Sequence, residues 1–247
     1  MSTLQYSKDY YSSIKGDSDR SANLVAPLIF QMFQPQSLID VGCGCGTWTA
    51  ALKKAGIPSV MGIDGDYVKL EQLLIKPEEF QRRNLLQPLN LNKKFDLALC
   101  LEVAEHLEGS RADSFVRDLT SLADLVVFSA AIPGQGGTHH VNEQWPSYWI
   151  SRFTANGFKA VDCLRPQIWN ITEVAWWYKQ NMFVFAKEGT LSKYSALFKY
   201  VDSVMPANLV HPQAYETATV PELMSPRMIK QLALAIPHFP AKLLGKQ

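Results

Sequence analysis

The stretch LIDVGCGCGTW, residues 38–48, places Gly42, Gly44 and Gly46 at alternate positions between an apolar run and a tryptophan. SLIDV (37–41) predicts a strand, and TWTAALKKAG (47–56) predicts a helix with lysines in its last turn and Gly56 at its C-cap. Glycines at a strand-to-helix turn permit positive φ and close approach by another molecule, and the helix N-terminus beyond offers unpaired N–H groups to a carboxylate or phosphate. The turn therefore predicts a nucleotide-like cofactor. Its spacing is G-x-G-x-G; the dinucleotide fingerprint needs glycine at position 47, where Thr47 stands.

Strand-like and helix-like segments alternate along the remaining chain. A helix is expected over 21–33 with Pro27 near its first turn, then strands over 59–64, within 80–86, over 95–102 and over 124–133. A helix over 146–157 opens on Pro146 and closes on Gly157, and two late strands follow in FKAVDCLR (158–165) and MFVFAKEG (182–189). This order predicts an α/β fold, a doubly wound and mostly parallel sheet with ligands bound at the carboxyl ends of its strands. Asp64 closes the second strand, about 20 residues beyond the loop, where an acidic side chain accepts from ribose hydroxyls. Three segments are expected: 1–34 as an N-terminal lid and first helix, 35–188 as the core, and 189–247 as a C-terminal helical extension.

LIDVGCGCG, GID, NLL and FDLALCLEVAEHL, in that order, resemble the motif set of class I S-adenosylmethionine-dependent methyltransferases over roughly residues 20–188. The resemblance implies a Rossmann-like seven-stranded mixed sheet with its last strand antiparallel, and S-adenosylmethionine as cofactor. It places Asp40, Gly42, Gly44 and Gly46 around the methionine part, Asp64 on the ribose, Asn84 and Leu85 beside the adenine, and Leu101 and Glu102 near the sulfonium. The family often carries aspartate where Asn84 stands; an asparagine carbonyl still accepts a hydrogen bond from the adenine amino group.

The acceptor side is expected on the Gly-rich loop IPGQGGTHHVNEQWPSYW (132–149), which carries His139, His140, Asn142, Glu143 and Trp145. His139, His140 and His106 are the candidate catalytic groups, since a hydroxyl is a poor nucleophile at neutral pH and needs a base or a metal to remove its proton. A helix beginning near residue 102 would put Glu102, Glu105 and His106 on one face. The same E-x-x-E-H segment resembles metal-dependent O-methyltransferases of the ubiquinone pathway and of small-RNA 2′-O-methylation. That resemblance implies a divalent ion (Mg²⁺, Mn²⁺ or Fe²⁺) on Glu102, Glu105, His106 and His140. In metal-free relatives the residue at Glu102 touches the cofactor, that at Glu105 favours the helix N-terminus and that at His106 is hydrogen-bonded, so both readings stand. The aromatics Trp169, Trp176, Trp177 and Tyr178 fit either a substrate cover or core packing.

The chain lacks the Asn-Pro-Pro-aromatic motif of related enzymes that methylate amino groups of nucleobases or glutamine, and HVNEQWPSYW resembles segments of bacterial methyltransferases acting on glycans and natural products. The expected activity is O-methylation of a small-molecule or glycosidic hydroxyl. The alternatives are a cofactor-binding scaffold without turnover, an RNA 2′-O-methyltransferase, and a nicotinamide dehydrogenase. Formal net charge is +1 with no Lys/Arg block, which argues against nucleic-acid partners. The polar N-terminus and the absence of any run near the roughly 20 apolar residues of a membrane span predict neither a secretory leader nor a span. Cys43, Cys45, Cys100 and Cys163 lack paired spacing, which predicts reduced thiols and a cytoplasmic setting. Tyr6, Tyr10 and Tyr11 are expected in a lid, and the tail from Ser225 in a homodimer contact or packed on the core.

Overall fold

The computed structural model describes residues 8–201 and 205–219. Tyr6, the side chains of Tyr10 and Tyr11, and the tail from Ser225 lie outside the described residues. The chain divides into two units, Met1–His211 and Pro212–Gln247; of the second, one helix, Pro212–Thr219, is described.

In the first unit the order is α1 (Lys8–Phe33), β1 (Ser37–Val41), α2 (Thr47–Ala55), β2 (Ser59–Asp64), β3 (Phe80–Arg82), β4 (Leu97–Leu101), α3 (Ala112–Leu122) and β5 (Leu125–Ser129). Then follow α4 (Pro146–Ala155), β6 (Phe158–Val161), α5 (Arg165–Ile168), α6 (Trp176–Asn181), β7 (Phe183–Lys187) and α7 (Glu188–Leu191). The seven strands form one sheet in the order β3-β2-β1-β4-β5-β7-β6, with β7 antiparallel to both its neighbours and the other pairs parallel. This is the doubly wound, mostly parallel sheet expected from the strand order, with the antiparallel last strand that the family resemblance implies. β5 is buried at all five positions and β4 at four of five, because helices cover both faces.

Two apolar layers flank the sheet. One packs α1, α2 and the segment around α6 against β1, with Ile29, Leu38, Leu52 and Tyr178 in its interior; the other packs α3 and α4 against β4 and β5 through Phe115, Phe128 and Phe153. Trp48 Nε1 donates to Tyr178 Oη (3.2 Å), and Ser18 Oγ bonds the same hydroxyl (2.8 Å). The residues following α7 remain with the sheet: Val201 bridges Val161, and Arg165 donates to the carbonyls of Pro206 (3.0 Å) and Ala207 (3.1 Å).

Two expected helices differ from the observed ones. α1 begins at Lys8 rather than at residue 21, so Pro27 lies well inside it. Its polar first half has no apolar periodicity to announce a helix, yet Ser21 Oγ and Asn23 Nδ2 each bond a carbonyl four residues earlier, and Arg20 pairs with Asp17 one turn away. No α-helix begins near residue 102; the chain makes a single 3₁₀ turn, Ala104–His106, and α3 starts at Ala112. Glu102 takes φ +53° and Val103 a non-helical conformation, which breaks the helix at its first step.

Candidate active site

The strand order reverses between β1 and β4, and a crevice opens there at the carboxyl ends of the strands. A cavity of about 970 Å³ fills it. One end is bounded by Asp64, Tyr67, Asn84 and Leu85, the other by Glu102, His106, Thr138 and His139, with Gly42 and Val103 between.

The glycine turn folds back on β2: Gly42 N and Cys43 N both donate to Ile63 O, at 2.8 and 3.2 Å. Its three glycines, all with positive φ, serve different purposes. A Cβ on Gly42 would fall 2.4 Å from Val103, so packing demands glycine there; one on Gly46 would crowd Ile75 at 3.0 Å, and its φ of +87° favours glycine. A Cβ on Gly44 would meet nothing within 4 Å, so the backbone there faces open space. Cys43 fills the crowded turn, its sulfur lying where a side chain at position 62 would go, and all four cysteines are free thiols.

Asp64 closes β2 and braces this turn. Its Oδ2 accepts from Gly44 N (2.6 Å), and its Oδ1 accepts from Gly65 N (2.7 Å) and from the Tyr67 hydroxyl. Asp40 sits behind the turn rather than on the cavity wall: it is buried and accepts from Thr49 Oγ1 at 2.6 Å. Burial pushes its carboxyl up to about 7, against the Thr49 hydrogen bond, which favours the ionised form. Asn84 turns its Oδ1 back to Leu86 N (3.0 Å). Leu101 is the half-buried last residue of β4, beside but not on the cavity wall.

At the opposite end Glu102 occupies the left-handed region, unusual for a residue with a side chain. Its backbone N–H donates to Ser129 O (3.0 Å), and its carboxyl accepts from Gln135 Nε2 (2.9 Å) and Asn181 Nδ2 (3.3 Å). Burial raises its carboxyl above the usual range, and these hydrogen bonds oppose the rise.

Glu105, in the 3₁₀ turn, is fully buried, and neither carboxyl oxygen has a hydrogen-bond partner. Burial first, and the Glu102 carboxyl second, hold its proton well above the usual carboxylate range. Among the described residues, Glu105, His106 and His140 bring one ligating atom each within 4.8 Å of one another. The His106 and His140 rings meet edge to face with centroids 4.9 Å apart, and burial followed by the neighbouring His140 lowers the His106 pKa. The four residues of the E-x-x-E-H reading thus separate: three converge, and Glu102 turns to Gln135 and Asn181.

His139, at φ +60°, is exposed on the cavity wall. His140 is half-buried and bonded through Nδ1 to Glu143 Oε1 (2.9 Å). The backbone N–H groups of Val141 and Asn142 donate to Glu105 O at 2.9 and 3.0 Å, which ties the histidine loop to the 3₁₀ turn. Trp169, Trp176, Trp177 and Tyr178 do not line the cavity; Tyr178 is core, and Trp169 lies 4.7 Å from the His211 ring. Gln135 and Asn181, which hold Glu102, escaped the sequence reading. Asn181 lies 79 residues from Glu102, and no local pattern marks such a pairing.

A glycine turn after β1, an acidic residue closing β2 and a sheet with β7 inserted antiparallel define a class I S-adenosylmethionine-dependent methyltransferase. Residues 18–181 match a family model described as a methyltransferase domain, well over half of the chain, and the chain belongs to that family. Among solved structures, DesVI of Streptomyces venezuelae superposes with TM-score 0.55 at 14% identity, covering 72% of this chain and 95% of its own. The sugar N-methyltransferase KedS8 from Streptoalloteichus sp ATCC 53650 gives TM-score 0.55 at 15% identity, covering 76% and 95%. The amino pentose methyltransferase CalS10 from Micromonospora echinaspora, solved with its S-adenosylmethionine bound, gives 0.52 at 15%, covering 76% and 100%. These likenesses establish the fold. No curated protein matches the sequence. Among the described residues no helix is long and apolar enough to cross a membrane.

Proposed function

We propose that the protein transfers a methyl group from S-adenosylmethionine to a hydroxyl of a sugar-sized small molecule. The observation that carries this reading is the single continuous cavity, whose wall runs from Asp64 and Asn84 at one end to His106 and His139 at the other. Donor and acceptor fit side by side in it. The open face of Gly44 leaves room for a ligand against the backbone, and the Asp64 carboxylate lies on the wall, so the residues fit the cofactor.

In this reading Asp64 accepts from the ribose hydroxyls, Asn84 and Leu85 flank the adenine, and the Gly42–Gly46 turn cradles the methionine part with Asp40 behind it. Glu102, fixed by Gln135 and Asn181, closes the wall near the sulfonium, with Leu101 beside it. S-adenosylmethionine supplies an activated methyl group, leaving as a neutral thioether when the acceptor oxygen takes that methyl. The protein's share is alignment, exclusion of water and removal of the hydroxyl proton.

For the proton, Glu105, His106 and His140 fit a divalent cation. A buried carboxyl with both oxygens unpartnered costs stability until something pairs with it, and one carboxylate with two imidazoles is a set that transition metals favour. Such an ion would acidify the acceptor hydroxyl. His139, exposed on the cavity wall, supports a second reading as a direct general base. KedS8 and CalS10, both methyltransferases of sugars by name, support a sugar-sized acceptor and make amino sugars the first competitor to hydroxyls.

Calorimetric titration with S-adenosylmethionine tests the shared premise; absence of binding refutes it. Release of S-adenosylhomocysteine is then followed over sugars, amino sugars and short RNA, with EDTA and with added Mn²⁺ or Mg²⁺. Turnover on sugars lacking amines, lost in EDTA and restored by Mn²⁺, is expected. Turnover confined to amines moves the acceptor to nitrogen, turnover confined to RNA selects the 2′-O reading, and binding without turnover selects the scaffold. EDTA-insensitive turnover that disappears in His139→Ala selects the general base.

A further inference from the structure

The loop between β5 and α4 is organised by one carboxylate. Glu143 Oε2 accepts from Gly134 N at 2.7 Å, and its Oε1 accepts from Gly136 N at 2.8 Å and faces His140 Nδ1 at 2.9 Å. Two backbone donors and one imidazole nitrogen, from three loop positions, thus converge on one side chain, itself mostly withdrawn from solvent. Gly137 completes the packing: a Cβ there would fall 2.2 Å from His140 Nε2 and 2.4 Å from Cε1, so the imidazole lies directly on glycine backbone.

We infer that Glu143 is a positioning residue that fixes the tautomer of His140. A carboxylate offers only acceptor sites, so the ring nitrogen facing it must carry the hydrogen. With Nδ1 protonated, neutral His140 keeps its lone pair on Nε2, the one nitrogen left for Glu105, His106 or an acceptor. The arrangement serves the proposed metal site, since a metal-ligating histidine is oriented by a partner on its second ring nitrogen. The two glycine N–H bonds make the orientation a property of the whole loop, because the carboxylate cannot rotate away from His140 without releasing Gly134 and Gly136. The inference rests on the proposed function only in assigning His140 a task; the tautomer is measurable without substrate, cofactor or metal.

Long-range ¹H–¹⁵N imidazole correlation spectra of the ¹⁵N-labelled full chain at about pH 8 read it directly. The His140 signals are assigned by their loss in His140→Ala. Protonated Nδ1 and unprotonated Nε2 are expected in the wild type, and a shift toward protonated Nε2, the form free imidazole side chains favour, in Glu143→Ala. A wild-type His140 with its proton on Nε2 overturns the inference even if the variant fails to fold, as does a folded Glu143→Ala chain with unchanged His140 shifts. Failure of the wild type to bind S-adenosylmethionine overturns the functional reading alone.

Discussion

Asp40→Asn should remove one large contribution to the pH dependence of stability. Asp40 is almost fully buried behind the glycine turn with a single side-chain partner, Thr49 Oγ1, at 2.6 Å, and its folded pKa stands at about 7. In the unfolded chain the same group titrates at about 3.9. The folded pKa of this acid is raised, so the native state binds more protons than the unfolded state across the window between the two values, and stability falls as pH rises through it. Three pKa units at about 1.4 kcal/mol each set a ceiling near ~4 kcal/mol, and integrating the two titrations between pH 5 and pH 8 leaves about 2–3 kcal/mol of that loss. Asparagine keeps an acceptor for Thr49 and never ionises. Urea unfolding of wild type and Asp40→Asn at pH 5 and pH 8 measures the difference. The variant should gain about 2–3 kcal/mol on the wild type over that interval, equivalent to about 4–12 °C in Tm for a domain of this size. If the two proteins track in parallel between pH 5 and pH 8, the buried carboxylate ionises without penalty, and the account of the turn as a dry, desolvated support is wrong.

Gly44→Val, whose side chain enters the open face of the turn, should abolish S-adenosylmethionine binding by calorimetry while costing only about 1–2 kcal/mol of stability for a left-handed valine. Asp64→Ala should weaken the same titration by about 10–100-fold, since it removes an acceptor for ligand hydroxyls worth about 1–3 kcal/mol; unchanged affinity in both variants refutes the cofactor placement. Arg165→Met should destabilise the fold by about 3–5 kcal/mol in urea unfolding, because it strands the fully buried Asp162 carboxylate and frees the carbonyls of Pro206 and Ala207. An unaltered midpoint would show that the ion pair contributes nothing to pinning the segment after α7.

The two ends of the crevice differ in how openly the sequence declares them. The glycine turn, Asp40 and Asp64 lie within 25 consecutive residues, and what joins them is local: a strand end, a tight turn, a helix start and the neighbouring parallel strand, in register Asp40↔Gly62. Alternation of apolar runs and glycine spacing therefore locate this end without any tertiary knowledge. The acceptor end draws on the 3₁₀ turn at 104–106, the loop at 134–143 and Asn181 on α6, and its bonds span 33, 46 and 79 residues. E-x-x-E-H spacing suggests a common helical face, but a 3₁₀ turn also keeps Glu105 and His106 adjacent, and spacing alone cannot distinguish the two. The backbone of Glu102 decides between them: at φ +53° it leaves the helical path and sends its carboxyl to Gln135 and Asn181. The aromatic run at 168–178 carried the same ambiguity between cover and core; the hydrogen bonds of the Tyr178 hydroxyl to Trp48 and Ser18 draw it inward, toward α1 and α2. The cavity wall mixes residue types as well: Glu102, His106, Thr138 and His139 stand with Val103 and Leu107, while Arg82 and Arg83 line it with Asn84, so no single residue pattern along the chain marks it.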